Sequence, residues 1–203
     1  MHPLLSIGIS LLLTPTMYAQ TCIHKDLSPK FTFITQTKRI KQPDRVIDSG
    51  HVTIKIIDKA SKKTIQVISL EIPELYDVDF AKCRLVRSYS TGKNKHDIIT
   101  DTDYGDIIVA DLNFDSREDL AVKSENGMAG THYTFYIQGP DKQFRLDSFL
   151  TDSMNTFPCS FNKKRKTLTT LETAGAGWGE QVYRLDTKKN KWSLIRHRFL
   201  RSL

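Results

Sequence analysis

The stretch "DIIVADLNFDSREDLAVKS", residues 106–124, places an acidic segment between two short apolar runs. The runs "DIIVA" and "LAVKS" have the length of strands, and the segment between them has the composition of a turn. The sequence therefore predicts a β-hairpin whose connecting loop is crowded with side-chain oxygens.

Alternating oxygen-bearing side chains in this loop indicate a bound calcium ion. Calcium takes six to eight oxygen ligands in flexible geometry, and alternate residues of a tight loop point inward. Three carboxylates held this close repel one another unless a cation lies among them. The predicted ligands are Asp111, Asn113, Asp115, the backbone carbonyl of Arg117, and Asp119.

Two positions depart from the usual calcium loop. Ser116 occupies the sixth position, where glycine normally allows a sharp turn, and Val122 occupies the twelfth, where an EF-hand carries its bidentate glutamate. Because strands flank the loop, it is not an EF-hand proper but resembles the D-x-[DN]-x-D-G-x-x-D-L loops of calcium-binding propeller blades, such as the integrin type. This resemblance implies that Asp119 takes the role of the missing glutamate. The alternative interpretation is an Asx-rich surface turn that binds no metal.

Apolar residues alternate with polar ones along most of the remaining chain, which predicts strands rather than helices. Residues 51–58 and 64–72 form a hairpin that ends at Pro73, and residues 74–86 are compatible with a short helix or a strand. Further predicted strands lie at 133–138, 143–150, 157–162, 167–172, 181–186 and 191–197. The prediction is one all-β domain, residues 20–203, built as an antiparallel meander of hairpins, propeller-like or alternatively a β-sandwich.

Residues 1–19 have the features of a signal peptide. "LLSIGISLLL" has the length of a signal-peptide apolar region, and Pro15 and Ala19 precede a plausible cleavage point. No later segment is apolar enough to cross a membrane. We therefore expect a soluble periplasmic or secreted protein.

The three cysteines, Cys22, Cys83 and Cys159, predict one disulfide and one free thiol in an oxidising compartment. We favour Cys83 with Cys159, because Cys22 lies near a chain end that we expect to be mobile. No spacing of cysteine and histidine suggests zinc.

The chain carries a net charge of +7, concentrated in residues 162–167, 186–192 and 196–201. Solvated turns explain these clusters, and the alternative is a surface for an acidic partner or polyanion. For an exported protein we expect no nucleic-acid partner.

From about residue 106 to 195 the order of motifs resembles a family of exported bacterial proteins. The segments that carry the resemblance are "DLNFDSREDLAV", "NGMAGTHYTFYIQ", "QFRLDSFLT", a basic turn, a second glycine-rich segment and "VYRLD…W". The resemblance implies a β-propeller-like fold with one calcium loop. It also implies a role as a periplasmic lysozyme inhibitor, or as an immunity protein against effectors that degrade peptidoglycan.

Such inhibitors place a small-residue loop in a glycosidase cleft, and two segments here are similar to that loop. "GMAGTHY", 127–133, approximates an S-G-x-x-Y motif with Ala129 in place of serine, and "AGAGWGEQVY", 174–183, surrounds a tryptophan with glycines. The alternatives are that Tyr133 belongs to the core, and that Trp178 makes no interface. The predicted partner-binding residues are Gly130, His132, Tyr133, Gly177, Trp178 and Tyr183.

The sequence offers little support for catalysis. The histidines are scattered, no HExxH or G-x-S-x-G motif occurs, and the clustered acids are explained by metal binding. We therefore expect a calcium-stabilised binding protein that inhibits a peptidoglycan hydrolase, with no catalytic residues. The alternative is an envelope module that binds a glycan or a protein without inhibiting anything.

Overall fold

The computed structural model describes residues 17–41, 45–100, 102–127, 130–175 and 177–201, and the side chains from residue 19 onward within these ranges. Thirteen strands form three sheets in this part of the chain. An all-β fold of hairpins is therefore confirmed. No closed or propeller sheet is found among the described residues.

The first sheet is a meander of four antiparallel strands in chain order. Its strands are β1 (Met17–His24), β2 (Phe31–Ile40), β3 (Asp48–Asp58) and β4 (Thr64–Leu75). The predicted end of β4 at Pro73 is wrong, since the strand continues to Leu75. Proline is tolerated there because β4 is an edge strand and the pairing with β3 is irregular between Asp48 and Gly50.

The second sheet contains five strands in chain order, all antiparallel except the first pair. Its strands are β5 (Val86–Ser88), β6 (Ile107–Ala110), β7 (Asp119–Gly127), β8 (Gly130–Gln138) and β9 (Phe144–Leu146). Turns occupy most of residues 76–85, so that segment is neither helix nor long strand. The strand predicted for 143–150 is shorter than expected, because a π-helical turn begins at Phe149.

The third sheet is another antiparallel meander and completes the described fold. Its strands are β10 (Ser160–Asn162), β11 (Thr167–Ala174), β12 (Gly177–Asp186) and β13 (Lys191–Arg201). The π-helical turn Phe149–Met154 precedes it.

The second sheet lies between two apolar cores. Ile107 and Val109 of β6 pack in the core shared with the first sheet, whereas Ile108 and Ala110 pack in the core shared with the third. Both faces of β6 are therefore buried, which explains why "IIVA" is apolar at every position instead of alternating. The second sheet is therefore the middle layer of the described fold.

The disulfide joins Cys22 of β1 to Cys83, so the predicted pair Cys83–Cys159 is wrong. Cys22 does not lie in an unpaired chain terminus, because β1 pairs along its full length with β2. Cys159 is a free, exposed cysteine whose backbone N–H donates to the Thr169 carbonyl. The strand β1 begins inside the last three residues of the predicted leader, and residues 1–16 lie outside the described ranges. No helix among the described residues is long and apolar enough to span a bilayer.

Candidate functional site

Asp119 anchors the acidic loop from its position at the start of β7. Its Oδ2 accepts backbone N–H groups of Leu112 at 2.8 Å and Asn113 at 3.3 Å, and its Oδ1 accepts the Gln138 N–H at 2.9 Å. The side chain is fully buried, and burial raises its pKa to about 7 despite these hydrogen bonds. Asp119 therefore closes the loop onto β8.

The first half of the loop wraps around Asp111. The Asp111 carboxylate accepts the backbone N–H groups of Asp115 at 2.9 Å and Ser116 at 3.0 Å, and Asn113 Oδ1 accepts the Asp115 N–H at 3.1 Å. Ser116 has a φ of 68°, the left-handed conformation expected for the sixth position. That conformation costs a residue other than glycine about 1 kcal/mol or more. The loop has the tight turn of a calcium loop without the glycine that would favour it.

Arg117 neutralises Asp115 within the loop. Its Nη2 lies 2.5 Å from Asp115 Oδ2, and its Nε donates to the Gln138 carbonyl at 2.9 Å. Asn113 Nδ2 donates to the same Asp115 oxygen at 2.6 Å. An arginine and an amide therefore supply part of the positive field that a cation would otherwise provide.

The predicted ligands carry the oxygen atoms that calcium prefers, but the arrangement of these atoms in the loop fits the ion less well. All four predicted side chains lie on one loop and carry oxygen atoms, but their oxygens accept hydrogen bonds from backbone amides and from Arg117. No three acidic, histidine or cysteine side chains of the described residues converge into a metal-binding group. Calcium at this loop stays a prediction.

The predicted partner loop at 127–133 is only partly accessible. Tyr133 is 1% exposed and its hydroxyl oxygen accepts the Tyr104 backbone N–H at 2.9 Å, so Tyr133 belongs to the core, as the alternative interpretation held. Gly130 is buried and His132 is half-buried. Ala129, which stands for the motif's serine, lies outside the described residues.

The glycine-rich segment 174–183 divides into buried and exposed parts. Tyr183 is 2% exposed and its hydroxyl donates to the Ser153 carbonyl at 3.2 Å. Trp178 is 38% exposed. Gly177 is buried against β13, where an added Cβ would overlap the Leu200 carbonyl oxygen. Trp178 is thus the member of the predicted set with a large exposed aromatic surface.

Strand register brings Trp178 onto the same face as a polar groove. Trp178, Val182 and Arg184 are separated by even numbers of residues along β12, so their side chains share one face. This face, which we call the outer face of the third sheet, carries a groove of about 670 Å³. The groove is lined by Ser160, Asn162, Arg165, Thr167, Thr169, Val182, Arg184, Ile195 and Arg196.

The sequence shows the clusters of basic residues but does not show that their arginines line one groove. Arg165 lies in the turn before β11, Arg184 near the end of β12, and Arg196 on β13. Pairing of Thr167 with Arg184 and of Val182 with Arg196 brings the last two onto neighbouring strands. Writing out the cross-strand partners of each predicted hairpin could have indicated that these arginines lie close together.

A buried ion cluster around Lys123 was not predicted. Its ammonium lies 2.8 Å from Asp103, 3.2 Å from Asp79 and 3.2 Å from Asp106. Burial lowers the pKa of Lys123, but the carboxylates of Asp106, Asp103 and Asp79 more than offset this and raise it to about 12. Burial raises the pKa of Asp106 to about 7, although Lys123 opposes the shift. The cluster joins the segment after β4 to the second sheet.

Comparisons with known protein families, with curated proteins and with solved structures found no significant match.

Proposed function

We propose that the chain is an exported binding protein that blocks a peptidoglycan hydrolase through the outer face of the third sheet. The observation that carries this proposal is that exposed Trp178 and the arginine-lined groove lie on one face. Tryptophan and arginine are among the residues most enriched at the energetic centres of protein interfaces.

Charge restricts the kind of hydrolase that fits. Glu180 on the same face pairs with Arg196 at 2.9 Å and with Arg198 at 2.8 Å, which neutralises part of the basic charge. Arg165 and Arg184 are exposed and line the groove. A hydrolase with an acidic cleft would complement this face, whereas a strongly basic lysozyme would be repelled.

The proposal assigns calcium a structural role. Asp111, Asn113, Asp115 and Asp119, with the Arg117 carbonyl, would hold the ion. A bound Ca²⁺ would neutralise the carboxylates and lower the pKa of Asp119 from its raised value. These loop residues would then fix the connection between β6 and β7, which lies beside the apolar core shared with the third sheet.

Export is part of the same proposal. The leader-like residues 1–19 support it, and the Cys22–Cys83 disulfide is compatible with an oxidising compartment. We propose no catalytic residues, since neither the acidic loop nor the outer face resembles a catalytic arrangement.

Inhibition of cell-wall lysis tests the function. We expect the purified chain to slow the clearing of peptidoglycan suspensions by a muramidase with an acidic cleft, and Arg165→Glu with Arg184→Glu to abolish the effect. Lys55→Glu, an exposed charge reversal on the first sheet, is the matched control and should inhibit like the wild type. Full inhibition by the double variant would contradict the assigned surface.

A second candidate is an envelope module that binds an anionic glycan. The hydroxyl and amide side chains of the groove favour it, because Ser160, Asn162, Thr167 and Thr169 offer sugar hydrogen bonds beside the arginines. Cosedimentation with insoluble peptidoglycan separates the two functions. Binding to the cell wall without inhibition of any muramidase would favour the glycan module.

A further inference from the structure

A small cavity opens beside β5, away from the outer face of the third sheet. Its volume is about 220 Å³. On one side it is bounded by β5 and the residues before it, and on the other by residues within 94–100 and 103–105. Its charged and polar lining comprises Arg84, Arg87, Asn94, Asp97, Thr100 and Asp103. This size suits a small ligand or one functional group of a larger one.

Arg87 lines this cavity, and its guanidinium group lacks part of its hydrogen bonding. The residue is 4% exposed, its Nε donates to the Tyr104 carbonyl at 3.0 Å, and its guanidinium carbon lies 5.9 Å from the Tyr104 ring centroid. Its Nη1 is buried and has no hydrogen-bond partner. No acidic side chain of the described residues forms an ion pair with it.

Such an arrangement is costly unless something pairs with the guanidinium. A buried charge without a partner is strongly destabilising, and the guanidinium fork of arginine matches carboxylate and phosphate oxygens. The Tyr104 contacts hold Arg87 in place but leave Nη1 as a free donor.

We propose that this cavity is a binding site for a small oxyanion, a carboxylate or phosphate group, held by Arg87. Arg84 is exposed and adds positive charge to the lining. Asp103 also lines the cavity, and its carboxylate pairs with Lys123 at 2.8 Å, an ammonium that it shares with Asp79 and Asp106. Asp97 is exposed and disfavours highly charged polyanions, so the site fits a group of low charge.

Thermal unfolding in sodium acetate, inorganic phosphate and sodium chloride at equal ionic strength tests the site. We expect a saturable stabilisation by acetate or phosphate and none by chloride. A response to acetate alone assigns a carboxylate ligand, and a response to phosphate alone assigns a phosphate group. Arg87→Lys should bind at least about tenfold more weakly, because one charged fork is lost.

Arg45→Ala, which removes an exposed arginine between β2 and β3, is the control and should respond like the wild type. In the wild-type chain, the NMR signal of the Arg87 Nε–H group should move saturably with the same anion, which keeps the test valid if Arg87→Lys does not fold. An unmoved Arg87 signal, or an equal response to chloride, would overturn the proposal.

Discussion

Lys123 Nζ and Asp106 Oδ1 lie 3.2 Å apart, and both side chains are only 3% exposed. Lys123 also contacts Asp79 and Asp103, so one ammonium compensates three carboxylates. Lys123→Met should therefore lower the free energy of unfolding by about 3–5 kcal/mol, because Asp79 and Asp106 would be left buried without their partner. Urea denaturation measures this, with Lys55→Met on the exposed side of β3 as control. A loss below about 1 kcal/mol would show that the cluster is not important for stability.

Asp106 should make stability depend on pH. Its folded pKa of about 7 lies above the ordinary value of 3.8, so the folded chain holds a proton that the unfolded chain releases between those values. The free energy of unfolding should consequently fall as pH rises from about 4 to 7, by at most about 1.4 kcal/mol per pH unit for this proton. Asp119 contributes in the same direction.

Asp106→Asn should remove the Asp106 part of that slope while leaving the Asp119 part. Denaturation series at four or five pH values, for the wild type and the variant, measure the difference. Equal slopes in the two proteins would mean that Asp106 stays ionised across the range.

The Cys22–Cys83 disulfide closes a loop with a sequence separation of 61 residues. On chain-entropy grounds, replacing both cysteines by serine should cost about 4 kcal/mol. Cys159→Ser removes an exposed free thiol and should change stability by less than about 0.5 kcal/mol. The two variants are compared by urea denaturation without reductant, and a large loss in Cys159→Ser alone would point to a different pairing.

Calcium should stabilise the chain by binding to the acidic loop of the folded state. At a concentration about 100 times its dissociation constant, Ca²⁺ should add about 2.7 kcal/mol to the free energy of unfolding. Asp115→Asn should reduce this gain, whereas Asp77→Asn, whose side chain is 99% exposed in the wild type, should not. The same melting temperature in chelator and in excess calcium, without heat of binding, would remove calcium from the account.

Local patterns predicted the hairpins, since the alternation in 51–58 and 64–72 reappears as β3 and β4. Contacts between residues that are distant in sequence could not be predicted from such local patterns. Cys22 meets Cys83 because a strand that overlaps the predicted leader joins the first sheet, and Lys123 meets Asp79 across 44 positions. The same contrast holds for the candidate sites. The acidic loop is contiguous in sequence and could be located from it, whereas the groove depends on the register of four strands and could not.

The binding surface is tested most directly by Trp178. Calorimetric titration of the chain into a muramidase that it inhibits gives the dissociation constant for the wild type, Trp178→Ala and Leu146→Ala. Leu146 is 55% exposed on the second sheet and serves as the matched apolar control. We expect Trp178→Ala to weaken binding by 2 kcal/mol or more, about 30-fold, and Leu146→Ala to bind like the wild type. An unchanged dissociation constant for Trp178→Ala would contradict binding through the outer face of the third sheet.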